Sequence, residues 1–321
     1  MDNLLKAEES ILSIRAKRKL EKDLGPLFMK AWADPKAVEV MLNADGSLWQ
    51  ERLGEEMQCI GSMSPNQAES IIKTIASYHG KEITTSNPIF EGEFPIDNSR
   101  FAGQMPPVVQ STTFAIRKKA VSIFSLEEYV EKNILTNVHY EHIKKAISEH
   151  KNILVIGGTS SGKTTLINAI IKKMVETNPS ERVIIIEDTG EIQCAAKNYI
   201  QFHTSLEVSM TILLKTSLRM RPDRILIGEV RGPEALDLLM AWNTGHEGGA
   251  ATLHSNNAES GLSRLAMLIS MHPNAPRIIE PLIAEVVHFI VHISKTPQGR
   301  KVKEVLEISG YENGKFLTRK L

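Results

Sequence analysis

Gly157, Gly162, Lys163 and Thr164 occupy the fixed places of G-x-x-x-x-G-K-[ST] in the stretch "GGTSSGKTTLINAI". Glycines let a backbone curl so that successive N–H groups point inward. Gly157, Gly158, Thr159, Ser160, Ser161, Gly162, Lys163, Thr164 and Thr165 can therefore cradle phosphate oxygens, helped by the positive end of the following helix dipole. Lys163 adds a point charge for the β and γ phosphates, and the Thr164 hydroxyl suits Mg²⁺. ATP with Mg²⁺ is the expected ligand. Ser160 stands where many such loops carry another glycine, a change that costs little unless the position needs a positive φ.

Two acidic segments and one histidine segment add chemistry. "RVIIIEDTGEIQ" ends an apolar run in Glu187 and Asp188, with Glu191 three residues on. Carboxylates beside a phosphate loop can position an attacking water and hold a metal, which makes Asp188 a metal candidate. "RILIGEVRG" repeats the arrangement with Glu229, the second metal candidate, bound directly or through water. Gly228 takes the place where many such enzymes carry an aspartate, so Glu229 is expected to serve the metal alone. "NTGHEGGAATLHSNN" brings His246 and His254 around paired glycines, and histidines bracketing a strand opposite the loop suggest a sensor of nucleotide state.

These residues need elements to hold them. "NILVI" before the loop has strand character and "TTLINAIIKKMVE" after it has helical spacing. The alternation continues through "RVIIIED", a helix through "VSMTILLKTSLRM", "RILIGEV", a helix through "PEALDLLMAWN", and "GGAATLH". Such alternation predicts a parallel sheet covered by helices, with ligands at the carboxyl ends of its strands. Turn signals in "TPQGRK" and "ENGK" predict a small antiparallel extension.

Upstream the text is mixed. "VEVMLNADGSLWQER" predicts two strands around an Asp-Gly turn. A helix follows from Ser64, with Ser64 as N-cap, Pro65 at the first position, Gln67 completing a capping box and Gly80 ending it. A second capping box, Ser125 with Glu128, opens another helix. The expected organisation is an α+β domain over residues 1–117, a linker at 118–124 and a nucleotide-binding α/β domain over 125–321.

Composition narrows the classes. The 321 residues carry 38 Lys+Arg against 38 Asp+Glu, so no large nucleic-acid surface is advertised and direct DNA binding is not expected. The two cysteines, Cys59 and Cys194, form no C-x-x-C pair, and a reducing cytosolic compartment fits. No run approaches the roughly 18 apolar residues of a membrane span. The N-terminal stretch has Leu4, Leu5, Ile11, Ile14 and Leu20 at helical spacing and a basic run from Arg15 to Lys19. It reads as a helix packed on its own domain, with contact to anionic lipid as the alternative.

In order, the phosphate loop, "EDTGE", "RMRPDRILIGEVRG" and "TGHEGGAATLH" resemble the secretion ATPase superfamily that powers type II and type IV secretion and type IV pili. The resemblance runs from about residue 90 to 295. "RFAGQMPPVVQSTTFAIRKKA" and "HPNAPRIIEPLIAEVVHFIVHISKTPQGRKV" look most similar to the conjugal-transfer, TrbB-type branch, and the four-cysteine module of the type II branch is missing. The resemblance implies a RecA-like P-loop domain, a homohexameric ring, and a cytoplasmic location against inner-membrane partners of a secretion or conjugation complex. It carries Lys163 and Thr164 over as phosphate and metal binders, Glu191 as the glutamate acting on water, and Glu229 as the second-signature glutamate. It also matches Arg100 and Arg117 to N-terminal arginines that move onto the γ-phosphate; His254 is counted with the catalytic residues on its own placement, from which hydrogen bonding to that phosphate would report hydrolysis. The alternatives are a type IV pilus assembly or retraction motor, a DNA translocase, and a nucleotide-gated scaffold that barely turns ATP over.

Overall fold

The Asp-Gly turn closes a hairpin between β1 (Ala37–Leu42) and β2 (Ser47–Arg52). Asp45 Oδ1 accepts from Ser47 N–H at 2.8 Å, and Gly46 takes the positive φ of 83° that the turn requires. These strands come from a computed structural model that describes residues 2–119, 123–205 and 207–321, with the side chains from residue 13 onward. The chain divides into two units, Met1–Val121 and Ser122–Leu321. Of the linker expected at 118–124, residues 120–122 lie outside the described residues.

In the first unit, α1 (Asp2–Ala33) breaks at Gly25, whose φ of 75° is non-helical and which precedes Pro26. Leu20, Leu24, Phe28 and Trp32, four residues apart, are buried. They share a core with Ala68, Ile71, Ile72 and Ile75 of α2 (Pro65–Tyr78). Ile14 is exposed, and the side chains of Leu4, Leu5 and Ile11 lie outside the described residues. The remaining strands are β3 (Gln58–Ser62), β4 (Ile89–Glu93), β5 (Arg100–Gln104) and β6 (Thr113–Arg117). All six form one sheet in the order β3-β2-β1-β6-β5-β4, every neighbouring pair antiparallel. One expectation for α2 needs correction: Ser64 accepts from Gln67 N–H, but the Gln67 amide reaches away to Asp23 O, so the capping box is only half made.

The second unit opens with α3 (Leu126–Glu131), whose Ser125–Glu128 capping box is complete, and α4 (Asn137–Ser148). There follow β7 (Ile153–Gly157), α5 (Lys163–Thr177), β8 (Arg182–Glu187), β9 (Asn198–His203) and α6 (Met210–Ser217). Then come β10 (Arg224–Val230), α7 (Glu234–Trp242), β11 (Ala250–His254), α8 (Ala258–Ser270) and α9 (Glu280–Val286). The strands β12 (Phe289–Thr296), β13 (Gly299–Glu312) and β14 (Lys315–Lys320) complete it.

The sheet order is β14-β13-β12-β7-β11-β10-β8-β9, parallel from β12 to β9, with β13 and β14 the antiparallel extension. Strands buried on both faces read as continuous apolar runs. Alternate residues serve two cores: Leu154 and Ile156 pack with α6 to α9, whereas Ile153 and Val155 pack with α3, α4 and α5. Sequence reading passed over β9, because "NYIQFH" lies at the sheet edge and carries no buried residue. At the other edge β14, "KFLTRK", presents Lys315, Arg319 and Lys320 as exposed side chains.

Candidate functional site

Four adjacent parallel strands, β7, β11, β10 and β8, deliver their carboxyl ends to one rim of the sheet. β7 runs straight into the phosphate loop. Gly157 has no room for a side chain: a Cβ there would lie 2.3 Å from Ile293 O and 2.5 Å from Ser161 Oγ. Ser160 sits at φ 56° and Gly162 at φ 98°. The exception attached to serine at 160 therefore applies: the position does take a positive φ, which a Cβ disfavours.

Gly162 is the N-cap of α5 and supplies no side-chain cap to the helix's first N–H groups. Nothing lies within 4 Å of where a Gly158 Cβ would be. Lys163 Nζ donates to Gly157 O and Gly158 O, each at 3.0 Å. Uncapped N–H groups, an open approach over Gly158 and a buried ammonium are what a phosphate needs, so the residues fit the nucleotide. Thr164 Oγ1 donates to Glu191 Oε2 at 3.2 Å. That pairing puts two hard oxygen donors side by side at the helix start, a donor set that fits Mg²⁺. Thr159 is exposed and Thr165 half-buried in the same segment.

Glu191 is held there by its surroundings. Asn168 of α5, itself buried, donates to Glu191 O at 3.3 Å and accepts from Gln193 N–H at 3.1 Å. Glu187, 2 % exposed at the end of β8, accepts from the Glu191 and Ile192 N–H groups on one oxygen, both at 2.9 Å. Gln201 of β9 donates to its other oxygen, and His203 Nε2 stands 3.8 Å from it. Burial pushes the Glu187 carboxyl up to about 7 in spite of these donors. Asn168 did not stand among the sequence candidates, and Glu187, named there as an acidic strand end, carried no role of its own. Their signal was a polar residue inside an apolar helix face and a carboxylate ending an apolar strand.

Asp188 and Glu229 meet through a cation. Arg231 donates to Glu229 Oε2 through Nε at 2.7 Å and through Nη2, and to Asp188 Oδ2 through Nη1 at 3.0 Å. Thr204 Oγ1 donates to the other Asp188 oxygen at 2.9 Å. Glu229 and Asp188 thus share Arg231, a link with no signal in the sequence. Among the described residues no three His, Cys, Asp or Glu side chains gather to hold a metal by themselves. Gly228 also finds its reason: a Cβ on it would stand 2.7 Å from Glu187 Cβ, so an aspartate cannot fit beside this glutamate.

His254, the last residue of β11, pairs in register with Gly157. Lys163 Nζ lies 3.3 Å from its Nδ1 and 3.4 Å from its Nε2. Its Nε2 is 3.0 Å from Glu229 Oε1, off the line of a hydrogen bond. Burial and then the Lys163 charge hold the imidazole below its usual pKa. His246 precedes the opposite end of β11 and does not join the cluster. The glycines after it are structural: Arg224 Nη1 donates to Gly248 O, Asn152 Oδ1 accepts from both glycine N–H groups, and a Gly249 Cβ would lie 2.0 Å from Trp242 Nε1.

Arg100 and Arg117 belong to the first unit. They are register partners across β5 and β6, and Arg117 pairs also with Glu39 of β1. Burial raises the Glu39 carboxyl against the opposing pull of Arg117 and Arg100.

The chain matches the family described as Type II/IV secretion system protein over residues 41–304. It is 45 % identical over 302 residues to the probable conjugal transfer protein TrbB of Sinorhizobium fredii, covering 94 % of this chain and 92 % of that protein. Its structure is similar to the VirB11 ATPase of the Brucella suis type IV secretion system, with a TM-score of 0.50 and 25 % identity over 91 % of this chain and 95 % of that one. The fold is shared with the pilus retraction motor PilT, at a TM-score of 0.60 and 21 % identity over 82 % and 77 %. A phosphate loop, two acidic strand ends and a strand-end histidine on one sheet rim, together with these likenesses, place the chain in the type II/IV secretion system family, whose ATPases hydrolyse nucleoside triphosphates.

Proposed function

We propose that the chain is the ATP-driven motor of a conjugal-transfer, type IV secretion apparatus, coupling Mg-ATP hydrolysis to domain movement for pilus assembly or substrate transfer. The observation that carries this reading is the convergence of Lys163, Glu191, Glu229 and His254 on one rim of the parallel sheet, in a chain 45 % identical to a probable conjugal transfer protein.

In this reading the loop N–H groups from Gly157 to Thr165 and the Lys163 ammonium hold the β and γ phosphates. Mg²⁺, when bound, would neutralise phosphate charge, and the residues that would hold it are Thr164, Glu229 and Asp188. Glu191, fixed beside Thr164, orients the attacking water. Arg100 and Arg117 act as cations against the charge that develops on the γ-phosphate. His254, kept neutral, stands between Lys163 and Glu229 and registers the exchange of contacts on hydrolysis. The working form is a homohexameric ring, cytoplasmic and peripheral, engaging inner-membrane components of the apparatus. No helix among the described residues is long and apolar enough to cross a membrane.

The test is steady-state ATP hydrolysis by the purified chain beside Lys163→Ala and Glu229→Gln, with mass measured in solution and DNA added in parallel. Turnover by a hexamer, lost in both variants and indifferent to DNA, is the expected result. A monomer without turnover would overturn the motor, and strong stimulation by DNA would favour a translocase.

A further inference from the structure

Glu187 lies beneath the rim and reaches neither the phosphate loop nor Thr164 through any contact described above. Its carboxylate instead collects the backbone: Oε2 takes the N–H groups of Glu191 and Ile192, and Oε1 takes the Gln201 amide from the neighbouring strand. Two consecutive N–H groups converging on one oxygen fix the turn that follows β8. The Glu191 side chain leaves that turn toward Thr164.

Space for this carboxylate is made by the residue opposite. Gly228 of β10 faces Glu187 so closely that a Cβ would stand 2.7 Å from Glu187 Cβ and 3.4 Å from Oε2. Gly228 is held in turn from the other side, where Thr252 Oγ1 of β11 donates to its carbonyl at 2.6 Å. The backbone between Gly228 and Glu187 therefore has little freedom to relax.

We infer that Glu187 is a positioning residue for hydrolysis, a buried staple that holds the 188–192 turn so that Glu191 meets Thr164, and that Gly228 is a glycine to make room for it. The inference rests on the proposed role of Glu191. Both Glu187 oxygens accept hydrogen bonds, whereas glutamine fills the same volume with one acceptor and one donor, so its NH2 group must face either the two backbone N–H groups or the Gln201 amide, and the turn loosens.

The experiment uses the full chain and three variants, Glu187→Gln, Glu191→Gln and the double substitution. Fluorescent ATP-analogue binding gives affinity, and steady-state and single-turnover ATP hydrolysis give the rate. Glu187→Gln is expected to lower kcat at least about tenfold while analogue affinity stays within about threefold, the signature of a lost transition-state arrangement. In the Glu191→Gln background it should add less than about twofold to the single-turnover loss, because both changes disable one unit. Gly228→Ala, which presses on Glu187 without removing its carboxyl, should reproduce the kcat loss and serves if Glu187→Gln fails to fold. Losses that multiply in the double variant, or an affinity that falls with kcat, would overturn the staple. Wild-type turnover by Glu191→Gln would overturn the underlying role of Glu191, a result visible in that variant alone.

Discussion

His254 is the register partner of Gly157, and this pairing sets its imidazole 3.3 Å from Lys163 Nζ. Burial first, and then a cation this close, opposes protonation of the imidazole, so the ring is held below the ordinary histidine value of about 6.5. An NMR titration of the His254 ring should give a pKa below that value, and Lys163→Met should raise it. The sign for stability follows: because folding disfavours the protonated ring, this contribution is present above about pH 6.5 and shrinks as pH falls through it. A His254 pKa at or above the ordinary value would contradict the contact.

Neighbouring glycines of the phosphate loop should respond oppositely. A methyl at Gly157 meets the backbone oxygen of Ile293, which cannot yield, whereas one at Gly158 meets nothing within 4 Å. Gly157→Ala is expected to destabilise the chain by about 2 kcal/mol or more, in the range of overpacked sites. Gly158→Ala should melt within about a degree of wild type and yet bind ATP more weakly, since the methyl enters the space over which phosphate approaches. Thermal melts and nucleotide titrations of both variants decide it.

Much of this was legible in the sequence, because motifs and apolar runs are local. The phosphate loop, the Glu229 strand and the parallel alternation follow from spacing alone. What escaped depends on partners distant in the chain. Gln67 has the identity and position of a capping-box residue, but Asp23 O competes for its amide. Glu187 looks like a turn carboxylate until Gln201 of an unforeseen edge strand and the missing side chain of Gly228 close around it. Arg231 joining Asp188 to Glu229 spans 43 residues of sequence, and no periodicity carries that information.

Acid should loosen the helical layer behind the loop. Glu127 of α3 accepts from Lys173 of α5 at 2.6 Å and from Tyr140 of α4 at 2.7 Å. Burial works to raise its carboxyl, but the hydrogen bonds from Lys173 and Tyr140 outweigh it and hold the pKa at about 2, while Lys173 is raised to about 12 chiefly by Glu127. A depressed carboxyl gives stability that is complete above about 4.5 and is lost as pH falls toward 2. Glu127 is 42 % exposed, so solvent screening limits the effect to about 1 kcal/mol or less. Glu127→Gln should melt below wild type at pH 7, and the gap should narrow through pH 3 and close only near pH 2. A gap that persists there would assign the difference to packing.

The arginine pair offers a test confined to catalysis. Arg100→Ala and Arg117→Ala are each expected to lower kcat on the order of a hundredfold or more, the scale of arginines that meet a transferring phosphoryl group. Arg117→Lys should recover only part of the rate, since an ammonium lacks the planar fork. Circular dichroism should report an intact first unit. Unchanged turnover in both alanine variants would remove the pair from the mechanism.

The charged side chains of β14 bear on what happens when the protein is concentrated. An edge strand offers unpaired N–H and C=O groups to any extended chain that drifts against it. Here Lys315 and Arg319 stand on one face of the strand and Lys320 on the other, with Arg319 paired to Glu307 and Lys320 to Glu304 of β13. A strand arriving at this edge would have to desolvate these charged side chains, a cost that guards the flank of the sheet against edge-to-edge growth, and the ion pairs themselves weaken with salt as the charges are screened.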